Sequence, residues 1–178
     1  MQIIAGNFRG TRLHTPEGMV TRPTLSRVKE AFFNVIQNDV SGCSFLDVFA
    51  GTGQMGIEAI SRGASYCAFI DTTTASLIKQ NIQKLKIDTP YNIFDSDATL
   101  AITSMAIKKF DFVYLDPPHE YAHTQELLEL VHKQGIVADG GTVVLEWATT
   151  ASPLHYQGLT VTKSKKYGNT TLFFYKEE

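Results

Sequence analysis

Short runs of apolar residues alternate along the chain with longer segments in which apolar residues recur at helical spacing. The short runs have the length of buried strands, and the longer segments have the period of helices that pack on a sheet. Because strands and helices alternate from residue 45 to residue 147, the pattern predicts an α/β fold with a doubly wound, mainly parallel sheet. The five strands predicted in this part span residues 45–49, 66–70, 91–94, 110–115 and 141–147.

Both ends of the chain add short extended segments to this core. Residues 2–14 contain two apolar pieces separated by glycines, which predicts a short N-terminal β-hairpin. Residues 159–162 and 171–175 predict a C-terminal antiparallel hairpin, which brings the sheet to seven strands. We expect one domain of 178 residues, with a basic hairpin and loop over residues 1–23 and the core over residues 24–178.

A helix is predicted between the N-terminal loop and the first core strand. Thr24 or Ser26 can cap its first turn, and apolar residues recur on one face of the residues that follow. Arg27 and Lys29 lie off this face, so we expect their side chains to reach solvent. The apolar face comprises Val28, Phe32, Val35 and Ile36.

The composition is that of an ordinary soluble globular protein, with 43% hydrophobic and 19% charged residues. No apolar run reaches membrane-spanning length and no signal peptide is present, so we expect a cytoplasmic protein without a membrane partner. Cys43 and Cys67 lie beside predicted strands without metal-binding spacing, so we expect them to be small core residues, with neither a metal nor a disulfide.

The net charge of −2 argues against indiscriminate nucleic-acid binding, but basic residues cluster locally. One group, Lys163, Lys165 and Lys166, lies near the C-terminus, and a second group crowds the first thirty residues. Charge alone leaves two interpretations open, a patch that follows phosphates or a solvated basic face. The candidate phosphate contacts in the second group are Arg9, Arg12, Arg22, Arg27 and Lys29.

The glycine-rich segment after the first core strand has the pattern of an adenosine-cofactor site. Gly51, Gly53 and Gly56 match G-x-G-x-x-G between a strand and a helix, so the backbone can turn tightly and a ligand can approach it closely. Asp71 ends the next strand, where it can bind the two ribose hydroxyls or cap the following helix. The other candidate cofactor contacts beside these landmarks are Phe49, Ala50, Thr52 and Thr72.

Asp47 lies inside the strand before the glycine turn, where a buried charge needs a partner. A cofactor ending in pyrophosphate would repel this carboxylate, whereas a cofactor carrying an ammonium group would satisfy it. S-adenosylmethionine carries both an α-amino group and a sulfonium, so it is the cofactor that we predict. The alternative is that Asp47 caps backbone amides of the glycine turn and touches no ligand.

Asp97 and Ala98 follow the third core strand, at the position that faces the adenine edge in an adenosine-binding sheet. Asp97 also precedes a helical run over residues 98–107, so it can instead be the helix N-cap.

The fourth core strand ends in a rigid acidic turn made of Asp116, Pro117, Pro118 and His119. Consecutive prolines cannot continue a strand, so the turn has little conformational freedom. The Asp116 carboxylate and the carbonyl after it can be two acceptors for the two protons of an exocyclic amine. The ring of His119 can stack on the base that carries this amine.

These residues resemble the class I methyltransferases, with DVFAGTG as the cofactor motif and DPPH in the place of the [DNS]PP[YFW] motif of amine methylators. The closer resemblance is to the RsmD family of 16S ribosomal RNA guanine-N2 methyltransferases. It spans nearly the whole chain, because five segments occur in the same order as in that family. They are MQIIAGNFRGTRL, TRPTLSRVKEAFFNVI, DVFAGTGQMGIEAISRGA, DPP and YGNTTLFFY.

The resemblance implies methyl transfer from S-adenosylmethionine to the exocyclic N2 of one guanine in 16S rRNA, within an assembled or partly assembled small subunit, by a monomeric enzyme. By position, residues 47–53 hold the methionine part of the cofactor, and the basic residues of the N-terminal region contact RNA. The sequence departs from the family at Ser26, where an acidic residue is usual, and at His119, where Phe or Tyr is usual. Tyr121 is the alternative source of a stacking ring.

Three other functions are compatible with parts of the pattern. Adenine-N6 methylation of DNA or RNA is the main alternative, since an Asp-Pro-Pro turn suits any exocyclic amine. A binding module with a structural adenosine pocket would not need both Asp47 and Asp116. An NAD-dependent oxidoreductase would need a proton-donating pair, such as Tyr-Lys or His-Asp, that no motif places at the carboxyl edge of the sheet.

Overall fold

The structure is a computed structural model, and it describes residues 1–16, 23–105, 108–118, 120–150 and 152–178. The helices are α1 (Pro23–Val35), α2 (Gln54–Ser61), α3 (Ala75–Leu85), α4 (Ala98–Ser104) and α5 (Thr124–Lys133). The strands are β1 (Ser44–Val48), β2 (Tyr66–Ile70), β3 (Tyr91–Phe94), β4 (Phe110–Leu115), β5 (Val137–Ala148), β6 (Leu159–Tyr167) and β7 (Thr170–Glu177).

The described strands form one seven-stranded sheet in the order β3-β2-β1-β4-β5-β7-β6. Strands β1 to β5 pair in parallel, whereas β7 pairs antiparallel with both β5 and β6. The order reverses between β1 and β4, which makes this pair the topological switch point of the sheet. The predicted doubly wound sheet with a C-terminal antiparallel hairpin is therefore confirmed.

Two apolar cores lie on opposite faces of the sheet. One core holds α1, α2 and α3, where Phe32 of α1 packs edge-on against Tyr114 and stacks with Phe174. We call this side of the sheet the α1 face. The other core holds α4 and α5. Cys43 and Cys67 are buried and unbonded to each other, as predicted for small core residues.

The C-terminal hairpin is longer than its sequence pattern predicts. β6 spans nine residues and β7 spans eight. All residues from Thr162 to Lys166 are exposed. Because β6 is the outer strand of the sheet and polar on both faces there, it lacks the alternation of apolar and polar residues that marks a half-buried strand.

The N-terminal segment, residues 1–14, contains one isolated antiparallel bridge, between Gln2 and Arg12, in place of the expected hairpin of two strands. Its backbone is instead held by α2. The buried Glu58 carboxylate accepts hydrogen bonds from the amides of Ile4 at 2.8 Å and Ala5 at 3.0 Å. The same carboxylate pairs with Lys29 and Arg62 at 3.2 and 2.8 Å.

Within the described ranges, no helix is long and apolar enough to cross a membrane.

Candidate active site at the carboxyl edge of the sheet

The switch point of the sheet brings the glycine turn and the acidic diproline turn side by side. β1 and β4 are neighbours, with Val48 opposite Leu115, so the two segments that follow them leave the sheet together. The amide of Asp116 donates to the carbonyl of Val48 at 3.4 Å. In open α/β sheets, ligands bind outside the carboxyl ends of the strands at this reversal.

The glycine turn leaves open space above its backbone and packs closely below it. Gly51 has a φ of +56° and no heavy atom within 4 Å of where a Cβ would stand, so a ligand can approach the backbone there. A Cβ on Gly56 would lie 2.3 Å from Phe69 and 2.6 Å from Cys67. The third glycine of the motif therefore allows α2 to pack on β2.

Asp47 is buried and caps the helix that follows the glycine turn. Its Oδ2 accepts a hydrogen bond from the amide of Gly56 at 2.9 Å, which is the kind of backbone contact that the alternative interpretation expected, and the contact with the cofactor stays a prediction. Burial raises the pKa of Asp47 to about 7; the Gly56 hydrogen bond opposes this rise and the charge of Asp71 adds to it. Asp47 thus carries a burial cost in its ionised form that a nearby cation would reduce.

Asp71 organises the loops on both sides of β2. One carboxylate oxygen accepts from the amide of Gly51 at 2.9 Å, and the other accepts from the amides of Thr73 at 2.8 Å and Thr74 at 2.9 Å. Partial burial alone would raise the pKa of Asp71, but these hydrogen bonds outweigh it and lower the pKa below its usual value. The capping alternative is again observed, and the ribose contact stays a prediction. Thr72 beside it is exposed.

Asp97 is the N-cap of α4, as its second interpretation predicted. It accepts hydrogen bonds from the amides of Thr99 and Leu100 and from the Thr99 hydroxyl, and the hydroxyl bond is the main cause of its lowered pKa. Ala98 is buried behind it. The contact with adenine stays a prediction.

An aromatic pair borders the site on the side of the diproline turn. Phe49, with a φ of +63°, packs edge-on against Tyr121 with ring centroids 5.0 Å apart. Such a φ is strained in a residue with a side chain and is most often found at functional sites. Burial raises the pKa of Tyr121, and the charges of Asp97 and Glu126 add to the rise, so the phenol stays neutral at physiological pH. Tyr121 is therefore available as the stacking ring, while His119 lies outside the described residues.

Asp116 is the carboxylate of the diproline turn, directly after β4. It retains partial solvent exposure, and it accepts no hydrogen bond from the part of the chain that the structure describes. Burial raises its pKa well above the usual value, and the negative charges of Glu146 and Asp47 raise it further. When the carboxylate is ionised, its oxygens can accept the hydrogens of a ligand, because no described group donates to them. Pro117 is buried and Pro118 is exposed beside it.

Two residues that the sequence pattern did not predict, Tyr114 and Glu146, lie close to Asp116. The Tyr114 hydroxyl donates to Glu146 Oε2 at 2.5 Å. Burial raises the pKa of Tyr114 well above its usual value, with further contributions from Glu146, Asp116 and Asp47. The sequence contains a pattern that could have predicted Glu146. This residue interrupts an apolar run near the carboxyl end of its strand, as Asp47 does.

The predicted RNA contacts do not share one environment. Arg9, Arg12 and Arg27 are exposed, and Arg22 lies outside the described residues. The expectation for Lys29 is wrong, because its side chain is only 2% exposed and its Nζ donates to the carbonyl of Gln2 at 2.7 Å and pairs with Glu58. Burial lowers the pKa of Lys29 and the charge of Glu58 opposes this, which marks a buried ion pair rather than a surface cation.

The geometry suits a cationic cofactor better than an anionic one. Asp47, Asp71 and Asp116 approach the same edge, and the space above Gly51 is open. Within the described ranges, no group of three or more His, Cys, Asp or Glu side chains is arranged to hold a metal ion.

Comparisons with known proteins identify the family. A family model described as "Conserved hypothetical protein 95" matches residues 1–176. The chain belongs to this family. The resemblance to RsmD-like methyltransferases predicted from the motifs is thereby confirmed.

Two relatives of the chain have names that describe rRNA methyltransferases. "Putative rRNA methyltransferase YlbH" of Bacillus subtilis is 32% identical over 99% of each chain. "Ribosomal RNA small subunit methyltransferase D" of Haemophilus influenzae is 29% identical over 99% of this chain and 93% of that protein. A solved structure described as "Putative methyltransferase yhhF" from Escherichia coli has a TM-score of 0.84 at 27% identity, covering 100% of this chain and 98% of that one.

Proposed function

We propose that the protein transfers a methyl group from S-adenosylmethionine to the exocyclic N2 of a guanine in 16S rRNA of the small ribosomal subunit. The coarser part of this function, S-adenosylmethionine-dependent methylation of rRNA, is supported by the family and by the names of its relatives. The observation that carries methylation of an exocyclic amine is Asp116, a carboxylate at the switch point for which no hydrogen bond to its oxygens is seen within the described ranges. The choice of guanine N2 over adenine N6 follows the resemblance to the RsmD family.

S-adenosylmethionine is confirmed as the cofactor by membership of a methyltransferase family. It supplies an electrophilic methyl group on a positively charged sulfur. Asp47 and the backbone of residues 49–53 would hold its methionine part, and Asp71 and Asp97 would face its ribose and adenine. A bound cation would favour the ionised form of Asp47, which burial disfavours.

The residues of the diproline turn act on the amine. The lone pair of guanine N2 is delocalised into the purine, so the nitrogen is a poor nucleophile until it becomes pyramidal. Asp116 and the carbonyl of Pro117 would accept the two amine hydrogens and favour that geometry. Their negative charge and dipole also stabilise the positive charge that develops on nitrogen in the transition state. Tyr121 would stack on the guanine and keep N2 aligned.

The RNA must present this guanine outside its stack. A base within RNA secondary structure cannot reach a cleft between two turns of a sheet, so we expect it to be flipped out at a cost of a few kcal/mol. Small subunits or assembly intermediates are the expected substrate.

The decisive experiment measures incorporation of a labelled methyl group into small subunits from cells that lack this gene. We expect N2-methylguanine in the nucleosides of 16S rRNA and no incorporation into duplex DNA. N6-methyladenine in either nucleic acid would replace the proposal with its main alternative. Asp116→Ala should lower the rate at least about a hundredfold with nearly unchanged cofactor affinity, whereas the exposed Asp88→Ala should leave the rate unchanged.

A calorimetric experiment tests the cofactor site separately. Because burial raises the pKa of Asp47 to about 7, part of the molecules carry a proton there at neutral pH. A bound cation lowers this pKa, so S-adenosylmethionine should release protons on binding at pH 7. Titrations in buffers of different ionisation enthalpy measure this release. We expect Asp47→Asn to bind more weakly and to release fewer protons; equal release by both proteins would remove the assigned contact.

A further inference from the structure

The outer strand β6 carries a row of lysines that no motif assigned to the site. Lys163 and Lys165 are exposed on the last strand of the sheet. β6 runs parallel to β5, since each is antiparallel to the β7 strand between them. The carboxyl-terminal half of β6, which holds these lysines, is therefore at the same edge of the sheet as the diproline turn.

Strand register aligns this row with the proposed reaction centre. Leu115 pairs with Leu145, which puts Asp116 beside Glu146 in the next position. Glu146 pairs with Leu172, and Leu172 pairs with Lys165. Three strand-to-strand steps separate Asp116 from Lys165, which amounts to about 14 Å.

The register also decides which face each lysine occupies. Lys165 pairs with Leu172 and Lys163 pairs with Phe174, and both partners belong to the core on the α1 face. Since directly paired residues point to the same side, Lys163 and Lys165 lie on that face. Lys166 follows Lys165 directly, so it points to the opposite face.

Asp116 belongs to the α1 face as well. Tyr114 packs in the core on that face, and Asp116 follows it by two residues, one residue beyond the end of β4. The alternation of β4, extended by that one residue, places Asp116 on the same side. Helix α1 packs on this face and contacts β6, and Arg27 in its first half is exposed. The amino end of α1 is directed toward the carboxyl edge, because the other end leads into the start of β1.

We propose that Lys163 and Lys165, together with Arg27, form a phosphate-binding surface for the RNA strand that flanks the target base. The proposal rests on the proposed function, since it takes rRNA as the partner and Asp116 as the point where the base enters. The surface is positively charged and exposed, and strand register aligns it with the reaction centre. A surface that binds the phosphates of a nucleic-acid strand needs these features. It contacts RNA backbone and therefore sets affinity and position rather than the choice of base.

A competing role for these lysines is protection of a sheet edge. Lysines on outer strands prevent pairing with the edge of another sheet. That role requires charge on β6 but does not distinguish one face of the strand from the other. Substitutions of adjacent lysines on opposite faces therefore distinguish the two roles, because only RNA binding depends on the face.

The test compares Lys163→Gln/Lys165→Gln with Lys166→Gln on the same strand. RNA affinity is measured against salt concentration with undermethylated small subunits. We expect the double substitution to weaken binding about five- to tenfold and to reduce the slope of log affinity against log salt by about 1.4, with Lys166→Gln unchanged. In methylation assays the double variant should show a higher KM and an unchanged kcat, because these lysines do not touch the reacting atoms.

Three outcomes would overturn the proposal. The first is an unchanged salt slope in the double variant, and the second is an equal loss in Lys166→Gln. The third is self-association of the double variant in gel filtration with unaltered RNA affinity, which would assign the lysines to edge protection. Failure of the proposed function would look different, because the wild-type protein would then not methylate small subunits, whatever the variants do to binding.

Discussion

The N-terminal segment and strand β6 are both basic, yet they are attached to the molecule in opposite ways. The backbone of the N-terminal segment is held by a buried ion cluster of Glu58, Lys29 and Arg62. β6 pairs through its main chain with β7 along one side, and its lysines are exposed to solvent. The charges that hold the N-terminal segment thus lie outside it, at buried positions of Lys29, Glu58 and Arg62, whereas the lysines of β6 remain available to a partner.

The middle of the N-terminal segment, unlike its two ends, lies toward the sheet edge opposite the reaction centre. Phe8 and Asn7 contact Ser61, the last residue of α2, which lies toward the amino edge of the sheet. Arg9 follows directly, about 10 Å along the helix from the glycine turn. Lys165 lies at the carboxyl edge. Clusters of charge in a sequence therefore indicate a partner only after the fold shows which edge they reach.

Removal of the buried carboxylate should have the largest effect. Glu58→Ala leaves Lys29 buried without its counter-ion and two amides without their acceptor. We expect a loss of about 3–5 kcal/mol in the free energy of unfolding, measured by urea titration. The exposed Glu30→Ala on α1 is the control and should change little. A loss below about 1 kcal/mol would mean that the cluster does not hold the segment.

The next largest effect is expected at Asn81, which links the N-terminal segment to the glycine turn. Its side chain accepts from the amide of His14 at 2.7 Å and donates to the carbonyl of Thr52 at 3.0 Å. Asn81→Ala should cost about 1–3 kcal/mol of stability, because it leaves buried partners unsatisfied. Cofactor affinity should fall as well, since Thr52 belongs to the turn. The exposed neighbour Gln80→Ala should affect neither quantity, and equal effects of the two would exclude a specific link.

Stability should respond little to charge on β6. Lys163→Gln/Lys165→Gln removes two exposed side chains from the outer strand, so the unfolding free energy should stay within about 0.5 kcal/mol of the wild type. The same urea titration tests this, in direct contrast to Glu58→Ala. A loss of unfolding free energy comparable to that of Glu58→Ala would show that the β6 lysines also stabilise the fold. The two regions would then not differ in the function of their charges.

The smallest effect is expected for RNA binding by the N-terminal segment. Arg9→Gln should change RNA affinity by less than about twofold, because Arg9 lies away from the reaction edge, whereas Lys165→Gln should weaken binding more and lower the salt slope by about 0.7. Arg12→Gln provides a comparison within the segment, since it is exposed on the other arm of the bridge. A larger loss of RNA affinity for Arg9→Gln than for Lys165→Gln would show that the N-terminal segment, and not β6, contacts the RNA.

Much of the candidate site followed from the order of apolar runs. Parallel strands present their carboxyl ends at one edge, so the glycine turn after β1 and the acidic turn after β4 had to meet there. The environments of individual carboxylates were harder to predict. Asp47, Asp71 and Asp97 all engage backbone amides, which the sequence allowed as an alternative but could not decide.

By itself, the sequence determined the doubly wound order of strands, the glycine turn and the position of the diproline turn, because these depend on local pattern and chain connectivity. Only the tertiary structure decided that Lys29 is buried, that Tyr114 and Glu146 lie close to Asp116, and that Lys165 shares a face with the reaction edge. These features arise from pairing between residues far apart in the chain, as between Glu58 and the N-terminal amides. A side chain's face and partners are set by that pairing, and no local pattern encodes it.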